Sequence, residues 1–223
     1  MEKYFGIIKK SALFTGIDTN EINAVLNCLS AKQSKYTKDQ FVFRRGENIS
    51  SVGMVLSGQV HIIKEDFWGN RTIIAEVSAG SLFGETYACV QSESLGVSVI
   101  ASENTEILFM DMHKMMTVCT SACEFHTKLI RNLISVLAEK NLLLTKKMEH
   151  IAKRTTRDKL LSYLSAQSLK GGKASFEIPF NRQQLADYLS VDRSAMSNEL
   201  CKLRDEGILT FQKNSFHLEE KEI

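Results

Sequence analysis

The spacing of apolar and polar residues changes along the chain and predicts three regions. Residues 1–35 and 112–153 carry apolar residues at helical spacing. The stretch between them, residues 36–111, holds seven of the twelve glycines, placed among short runs such as VGMVL and VSVIA. Short β-rich runs separated by glycine are typical of a compact antiparallel barrel or roll. We therefore predict an α+β protein in which a β roll precedes a long helix.

The long helix carries two apolar stripes, and each needs a partner. One stripe steps by four and three residues, which is a heptad seam with one polar member. The heptad seam consists of Ile130, Ile134, Leu137, Asn141, Leu144, Met148 and Ile151. The second stripe, formed by Leu129, Leu133, Val136 and Leu143, could pack on the roll. We expect the heptad seam to contact the same helix of a second subunit, with Asn141 setting the register. Burial within one chain is the alternative.

Two short helical patterns meet at a tight turn near the C-terminus. Asn181 and Gln184 form a capping-box pair at the start of a helix over residues 182–189, and Asp192 can cap a second helix over residues 193–206. On the second helix one side carries Met196, Leu200 and Leu203, and another carries Arg193, Ser194, Ser197, Asn198 and Cys201. After Gly207, two short strands about a Lys213-Asn214 turn are predicted. This arrangement is a winged helix-turn-helix.

In a winged helix-turn-helix the second helix enters the major groove of DNA. The guanidinium of Arg193 can donate two hydrogen bonds to a guanine edge, and the short polar residues after it can read bases or hold phosphates. The predicted DNA-binding residues are Arg182, Arg193, Ser194, Ser197, Asn198 and Lys202. Acidic and basic residues are equal in number from residue 155 onward, so this hypothesis depends on local geometry. A polar solvent face is the alternative.

Composition bounds the class of protein. A chain of 223 residues with 43% hydrophobic and 24% charged residues is long enough for two modest cores. We find no apolar run of the length that a secretory signal or a membrane span needs, so we expect a cytoplasmic protein without membrane contact. The five cysteines are scattered and indicate free thiols. Motifs of hydrolases, phosphate loops and metalloproteases are missing, so we expect no enzyme.

Several short motifs lie along the chain: LFTGID near the start, RRGE at 44–47, VLSGQV at 55–60, GSLFGE at 80–85, the long helix and the motif at 182–209. In these motifs the chain resembles the cyclic-AMP receptor protein/FNR (Crp/Fnr) family of bacterial transcription regulators over nearly its whole length. It implies an effector-sensing, cyclic-nucleotide-binding-like jelly roll with N-terminal helices over residues 1–111. It further implies a dimerisation helix over 112–153 and a DNA-binding winged helix-turn-helix over 154–223. The implied partners are double-stranded DNA, a second copy of the chain and RNA polymerase.

The resemblance is weaker at the effector site. Cyclic-AMP receptors follow the Gly-Glu pair, here Gly84-Glu85, with an Arg-Ser pair that grips the cyclic phosphate, whereas this sequence has Leu95-Gly96. Losing such a charge-assisted contact costs about 1.5 to 3 kcal/mol, so we predict against cyclic AMP. A small, partly hydrophobic effector between roll and helix would be lined by Gly84, Glu85, Thr86, Leu95, Gly96, Val97, Asn141, Leu144 and Thr145. Ordinary core packing is an equal alternative.

Cys119, Cys123 and His126 step by four and three residues, which places them on one helical face where they could hold a metal. Small residues packed at a domain junction are the favoured interpretation, and we predict no metal and no cofactor. Only Cys28 lies in the N-terminal region, so a four-thiolate cluster of the FNR type is not available there. Two alternative functions stay open. One is a thiol-based redox regulator using Cys119 and Cys123, and the other is a nucleotide-sensing module that does not read DNA.

Overall fold

The computed structural model describes residues 2–66, 68, 71–90, 92–117 and 124–219. The chain divides into two compact units, Met1–Ala138 and Glu139–Ile223, and the boundary falls within the longest helix. None of the helices in these described ranges has the length and apolar character that a bilayer span requires.

The first unit begins with two short helices, α1 (Phe5–Lys10) and α2 (Thr19–Cys28). The backbone N–H of Asp18 donates to the Glu21 carboxylate at 3.2 Å, which fixes the start of α2. The prediction that the helical region reaches residue 35 is wrong. The first strand, β1 (Lys32–Tyr36), begins earlier because its backbone pairs with a distant strand near the end of the roll.

The roll consists of two antiparallel sheets, as predicted. Its remaining elements are β2 (Phe41–Phe43), β3 (Ser51–Ser57), β4 (Gln59–Glu65), β5 (Arg71–Ser78), β6 (Leu82–Phe83), α3 (Glu85–Cys89), β7 (Ser98–Ala101) and β8 (Thr105–Asp111). One sheet has the order β1-β8-β3-β6 and the other has the order β2-β7-β4-β5. The roll interior holds Val55, Val60, Val77, Phe83, Val99 and Ile107, all buried.

The turn between β3 and β4 requires glycine at Gly58. Its φ is +77°, and a Cβ there would lie 2.6 Å from the carbonyl oxygen of Asn104. A side chain would therefore force the backbone apart at this point of the roll.

The segment after the roll is not one uninterrupted helix, which corrects the prediction for residues 112–153. Helix α4 (Met112–Met116) ends at Thr117, whose backbone is extended. The N–H and the hydroxyl of Thr117 both donate to the carbonyl of His113, at 3.0 and 2.7 Å, and these two bonds close α4. The long helix α5 runs over Glu124–Ile151.

The first half of α5 packs into a second core of the first unit. Leu129, Leu133 and Val136 are buried in a cluster with residues of α1, α2, β3 and β8, which confirms the predicted roll-facing stripe at three positions. The amide of Asn132 adds two hydrogen bonds, to the carbonyls of Leu13 at 2.9 Å and Thr15 at 2.8 Å. The prediction is wrong for the fourth member, Leu143, which is 68% exposed.

The second unit is a winged helix-turn-helix. It contains α6 (Thr156–Gly171), β9 (Ser175–Glu177), α7 (Arg182–Leu189), α8 (Arg193–Asp205), β10 (Leu209–Gln212) and β11 (Ser215–Leu218). The strands form one antiparallel sheet in the order β10-β11-β9. The core of this unit is built from Leu160, Tyr163, Leu164, Ile178, Leu185, Ala186, Leu189, Met196, Leu200, Leu203, Leu209 and Phe216.

Candidate DNA-reading surface and effector site

Local capping signals position α7 and α8, as the sequence predicted. The side-chain oxygen of Asn181 accepts from the backbone N–H of Gln184 at 2.9 Å. The side-chain oxygen of Gln184 accepts from the backbone N–H of Asn181, also at 2.9 Å. Ser190 takes a left-handed conformation, with φ of +53°, and ends α7. The carboxylate of Asp192 then accepts from the N–H of Ala195 at 2.8 Å and starts α8. The turn and both helix starts are therefore fixed by contacts within a few residues.

Helix α8 buries one side and displays the other. Met196, Leu200 and Leu203 are fully buried, whereas Arg193, Ser194, Asn198, Cys201 and Lys202 are exposed and Ser197 is half-buried. This confirms the predicted division of the helix into a core face and a polar surface. We name the polar surface, formed by Arg193, Ser194, Ser197, Asn198 and Cys201, the reading face.

The polar groups of the reading face differ in how they are engaged. The hydroxyl of Ser194 donates to the Asp192 carboxylate at 2.5 Å, and this bond is the largest cause of a lowered pKa of Asp192. The hydroxyl of Ser197 donates to the backbone carbonyl of Arg193 at 2.9 Å. Within the described residues, the side chains of Arg193 and Asn198 make no hydrogen bond to protein.

Arg182, another predicted DNA contact, lies against the wing. Its guanidinium stacks over the rings of Phe211 and Phe216, with centroid distances of 4.7 and 5.1 Å. This partly buried position lowers the pKa of Arg182, because burial disfavours the cation. The arrangement holds the wing to α7, and a DNA contact by Arg182 stays a prediction. Lys202 is exposed, with its Nζ atom 3.6 Å from a Glu199 oxygen.

Arg157, in the first turn of α6, pairs with carboxylates. Its Nη1 atom lies 2.9 Å from an oxygen of Glu206 and 3.3 Å from an oxygen of Glu199, and its second terminal nitrogen also bonds Glu206. Hydrogen bonding to Glu206 first, and then to Glu199, raises the pKa of Arg157. The pairing connects α6 to the middle of α8, at Glu199, and to the residue that follows α8, Glu206.

Of the six predicted effector positions of the roll, Gly84, Glu85 and Thr86 lie at the start of α3, and Gly96 contacts α3. Gly84 precedes α3 with a φ of +79°, and a Cβ there would lie 3.0 Å from Ile49. Glu85 and Leu95 are buried, Val97 is half-buried, and Thr86 and Gly96 are exposed. The N–H of Gly96 donates to the hydroxyl of Tyr87 in α3 at 3.3 Å.

The Leu95-Gly96 segment is also tied to the RRGE motif. Gly46 donates to the carbonyl of Leu95 at 2.8 Å, and Leu95 donates to the carbonyl of Glu47 at 2.9 Å. The nearby Arg45 directs its guanidinium to the carbonyl of Glu65, at 3.4 Å. At the segment where the resemblance would place a cyclic phosphate, Leu95 is buried and Gly96 is exposed.

The helix positions predicted for the effector and the dimer lie on the surface of α5. Asn141, Leu144 and Thr145 are exposed, and the hydroxyl of Thr145 donates to Asn141 at 3.4 Å. In the heptad seam, Ile134 and Met148 are also exposed, whereas Ile130, Leu137 and Ile151 are half-buried. A pocket that joins roll and helix positions stays a prediction.

Cys119 and Cys123 lie outside the described residues. His126 is buried, with Nε2 3.9 Å from the sulfur of Cys28 and 3.3 Å from the carbonyl of Lys114. Across the part of the chain that the structure describes, no group of three or more His, Cys, Asp or Glu side chains could hold a metal ion.

His150 was not singled out by the sequence, because no motif surrounds it. It is buried near the end of α5, where Nδ1 lies 2.9 Å from the hydroxyl of Ser162 and the ring meets Tyr163 edge-on at 5.6 Å. Burial lowers the pKa of His150 below its ordinary value.

Two family models match the chain in the same order as the two units. The cyclic nucleotide-binding domain matches residues 33–122, and the Crp-like helix-turn-helix domain matches residues 158–222. Fold and reading face thus define a DNA-binding regulator with a cyclic nucleotide-binding domain. The matches together span more than half of the sequence, and the chain belongs to the Crp/Fnr family of transcription regulators.

Relatives match at low identity but over most of their length. The cyclic AMP receptor protein of Thermus thermophilus is 22% identical, with 96% of this chain and 94% of the relative covered. The solved catabolite activator protein of Thermus thermophilus is 22% identical, covers 94% of each chain and has a TM-score of 0.50. The c-di-GMP-responsive global regulator CLP of Xanthomonas campestris is 20% identical, with 92% of this chain and 100% of that chain covered and a TM-score of 0.56. These structural likenesses establish the fold.

Proposed function

We propose that this Crp-like DNA-binding regulator acts as a homodimer joined along the heptad seam of α5. One observation carries the proposal: Ile134, Leu144 and Met148 are 58%, 63% and 64% exposed although they stand at heptad spacing. A row of large apolar side chains left in water favours association with a second copy, because burial in the pair removes that surface from solvent. Asn141 within the row fits the register role that a polar seam residue serves.

The dimer gives the reading faces their function. Two recognition helices related by a twofold axis can enter successive major grooves when they lie about 34 Å apart, so the operator is a palindrome in double-stranded DNA. Within each half-site, Arg193, Ser194, Ser197 and Asn198 are the candidates for reading bases or holding phosphates, and Arg182 and Lys202 are candidate backbone contacts. RNA polymerase is the proposed partner at the promoter, and the cytoplasm is the proposed location.

The proposed effector is a small, partly hydrophobic molecule other than cyclic AMP. The absence of a charged fork at Leu95-Gly96 supports this, as does the engagement of the Gly96 N–H by Tyr87. An effector held by the roll positions and by Asn141, Leu144 and Thr145 would shift the population of α5 conformers. The segment 152–156 would pass that shift to the spacing of the recognition helices.

The dimer is tested by light scattering coupled to size-exclusion chromatography. The wild-type chain is expected to elute as a dimer that prefers palindromic duplexes. Leu144→Asp places a charge in the seam and is expected to give monomers that lose this preference. Leu169→Asp, on α6, is the matched control because Leu169 is 80% exposed and lies outside α5. A wild-type chain that stays monomeric and shows no preference for any palindrome contradicts the proposal.

A further inference from the structure

We propose that Asn198 selects adenine in the operator half-site and that the two serines of the reading face do not discriminate between bases. The inference rests on the proposed function, because it names the base that the recognition helix of that dimer chooses.

Asn198 lies where α8 projects farthest from its own core. At about 100° per residue, Asn198 points nearly opposite to the mean direction of Met196, Leu200 and Leu203. Ser194 and Cys201 lie on the same line, one turn before and one turn after Asn198. Arg193 and Ser197 stand toward the edge of the reading face, where only a long side chain such as Arg193 reaches the groove floor.

The hydroxyl groups of both serines already donate hydrogen bonds within the protein. Ser194 donates to Asp192 at 2.5 Å, and Ser197 donates to the carbonyl of Arg193 at 2.9 Å. Reading an acceptor on a base edge would break these bonds, one of which is charge-assisted. The carboxylate of Asp192 is itself held by the Ala195 N–H, so Ser194 is part of the helix cap.

Asn198 is the polar group on this line that retains its whole hydrogen-bonding capacity. It is exposed, and its amide makes no hydrogen bond within the described part of the chain. Its carbonyl oxygen accepts and its NH₂ group donates, which matches the N6 amino group and the N7 atom of adenine at the same time. Guanine presents two acceptors in the same place, so one of the two bonds would be lost.

The distance from Arg193 gives the expected half-site. Five residues of helix correspond to about 7.5 Å along the axis, or about two base-pair steps of about 3.4 Å. A guanine contacted by Arg193 and an adenine contacted by Asn198 are therefore expected about two base pairs apart, and the same pair recurs in inverted order in the second half-site.

The test is selection of bound sequences from randomised palindromic duplexes, followed by fluorescence anisotropy at one fixed salt concentration. We expect wild type to select guanine and adenine at the two positions and to lose about 5-fold to 150-fold in affinity when adenine is replaced. Asn198→Ala is expected to bind the four bases about equally at the adenine position and to keep the guanine preference. Ser197→Ala tests the statement about the serines and is expected to keep the wild-type base profile. Asn20→Ala, which removes an exposed asparagine from α2, is the matched control.

The outcomes separate the two proposals. A wild-type chain that selects no sequence overturns the proposed function. A wild-type chain that does select, together with an Asn198→Ala variant of unchanged base profile, overturns only the inference about Asn198. Loss of base preference in Ser197→Ala also overturns it, because a serine would then be reading. Circular dichroism melts of each variant show whether the protein is folded. Asn198→Gln provides a second variant, in which the amide group is kept on a longer side chain.

Discussion

His150 and Ser162 are joined by a hydrogen bond of 2.9 Å between Nδ1 and the serine hydroxyl, and this bond ties the end of α5 to α6. The imidazole is buried against the ring of Tyr163, and its centroid lies 6.5 Å from the ring centroid of Tyr188. The ammonium of Lys147 also lies over the Tyr188 ring. Segment 152–156, through which α5 would act on the DNA-binding unit, therefore begins beside a histidine held in an apolar setting.

We predict that the second unit loses stability as the pH falls below the ordinary histidine pKa of 6.5. Burial lowers the folded pKa of His150, and Lys153 lowers it further against the opposing effect of Glu149. The unfolded chain then binds a proton at a higher pH than the folded chain does, so protonation favours unfolding in this window. Well above pH 6.5 neither state is protonated at His150, and this contribution becomes independent of pH.

Urea unfolding and DNA affinity, measured between about pH 8 and about pH 5, check this prediction. His150→Gln is expected to flatten the dependence, and His113→Gln, an exposed histidine in α4, is expected to leave it unchanged. A wild-type profile that stays level across the range contradicts the argument.

Arg157→Gln is predicted to lower the melting temperature and to weaken DNA binding without altering base preference. The change removes the hydrogen bonds from Arg157 in α6 to Glu199 and Glu206. These bonds hold the C-terminal half of α8 against α6. Thermal denaturation and anisotropy on two unrelated duplexes measure the effect.

Arg204→Gln serves as the control for Arg157, since Arg204 pairs with its own neighbour Asp205 at 2.9 Å. Its contact with another element is a guanidinium 6.0 Å from the ring centroid of Phe211, which is weaker than two hydrogen-bonded carboxylates. Equal losses in both variants would mean that the pairing of α6 with α8 has no particular effect. A changed base preference in Arg157→Gln would instead make Arg157 a reading residue.

Leu200→Ala is predicted to reduce the free energy of unfolding of the second unit by about 2 to 5 kcal/mol, because a fully buried leucine leaves a cavity in a packed core. The adjacent residue offers a control, since Cys201→Ser changes an exposed side chain and is expected to stay within about 0.5 kcal/mol of wild type. Urea denaturation followed by circular dichroism gives both values, and similar values for the two variants would contradict the assignment of the core face.

Cyclic AMP is predicted to leave both the melting temperature and the DNA affinity unchanged. A ligand at about one hundred times its dissociation constant would add about 2.7 kcal/mol of stability, which a thermal melt detects readily. A saturable rise in melting temperature with cyclic AMP would show that the Leu95-Gly96 segment does not exclude the cyclic phosphate.

The sequence features that predicted the structure correctly act over only a few residues. Caps at Asn181 and Asp192, the break at Gly207 and the 3.6-residue spacing of Met196, Leu200 and Leu203 were sufficient to place α7 and α8 almost to the residue. Glycine spacing likewise predicted the roll, since a turn such as that at Gly58 constrains the residue at its own position. The same signals failed at Thr117, where a β-branched residue without glycine or proline ended a helix.

Residue patterns were enough to predict the order of the elements, their capping and the polar composition of the reading face. The contacts between elements were found only in the folded chain: Arg157 with Glu206, Arg182 with Phe211, and His150 with Ser162. The fold also exposes Leu143 to water and lets the hydroxyls of Ser194 and Ser197 donate to groups within the protein. The physical reason is that capping and periodicity act over a few residues, whereas these contacts depend on how separate helices and strands pack in space.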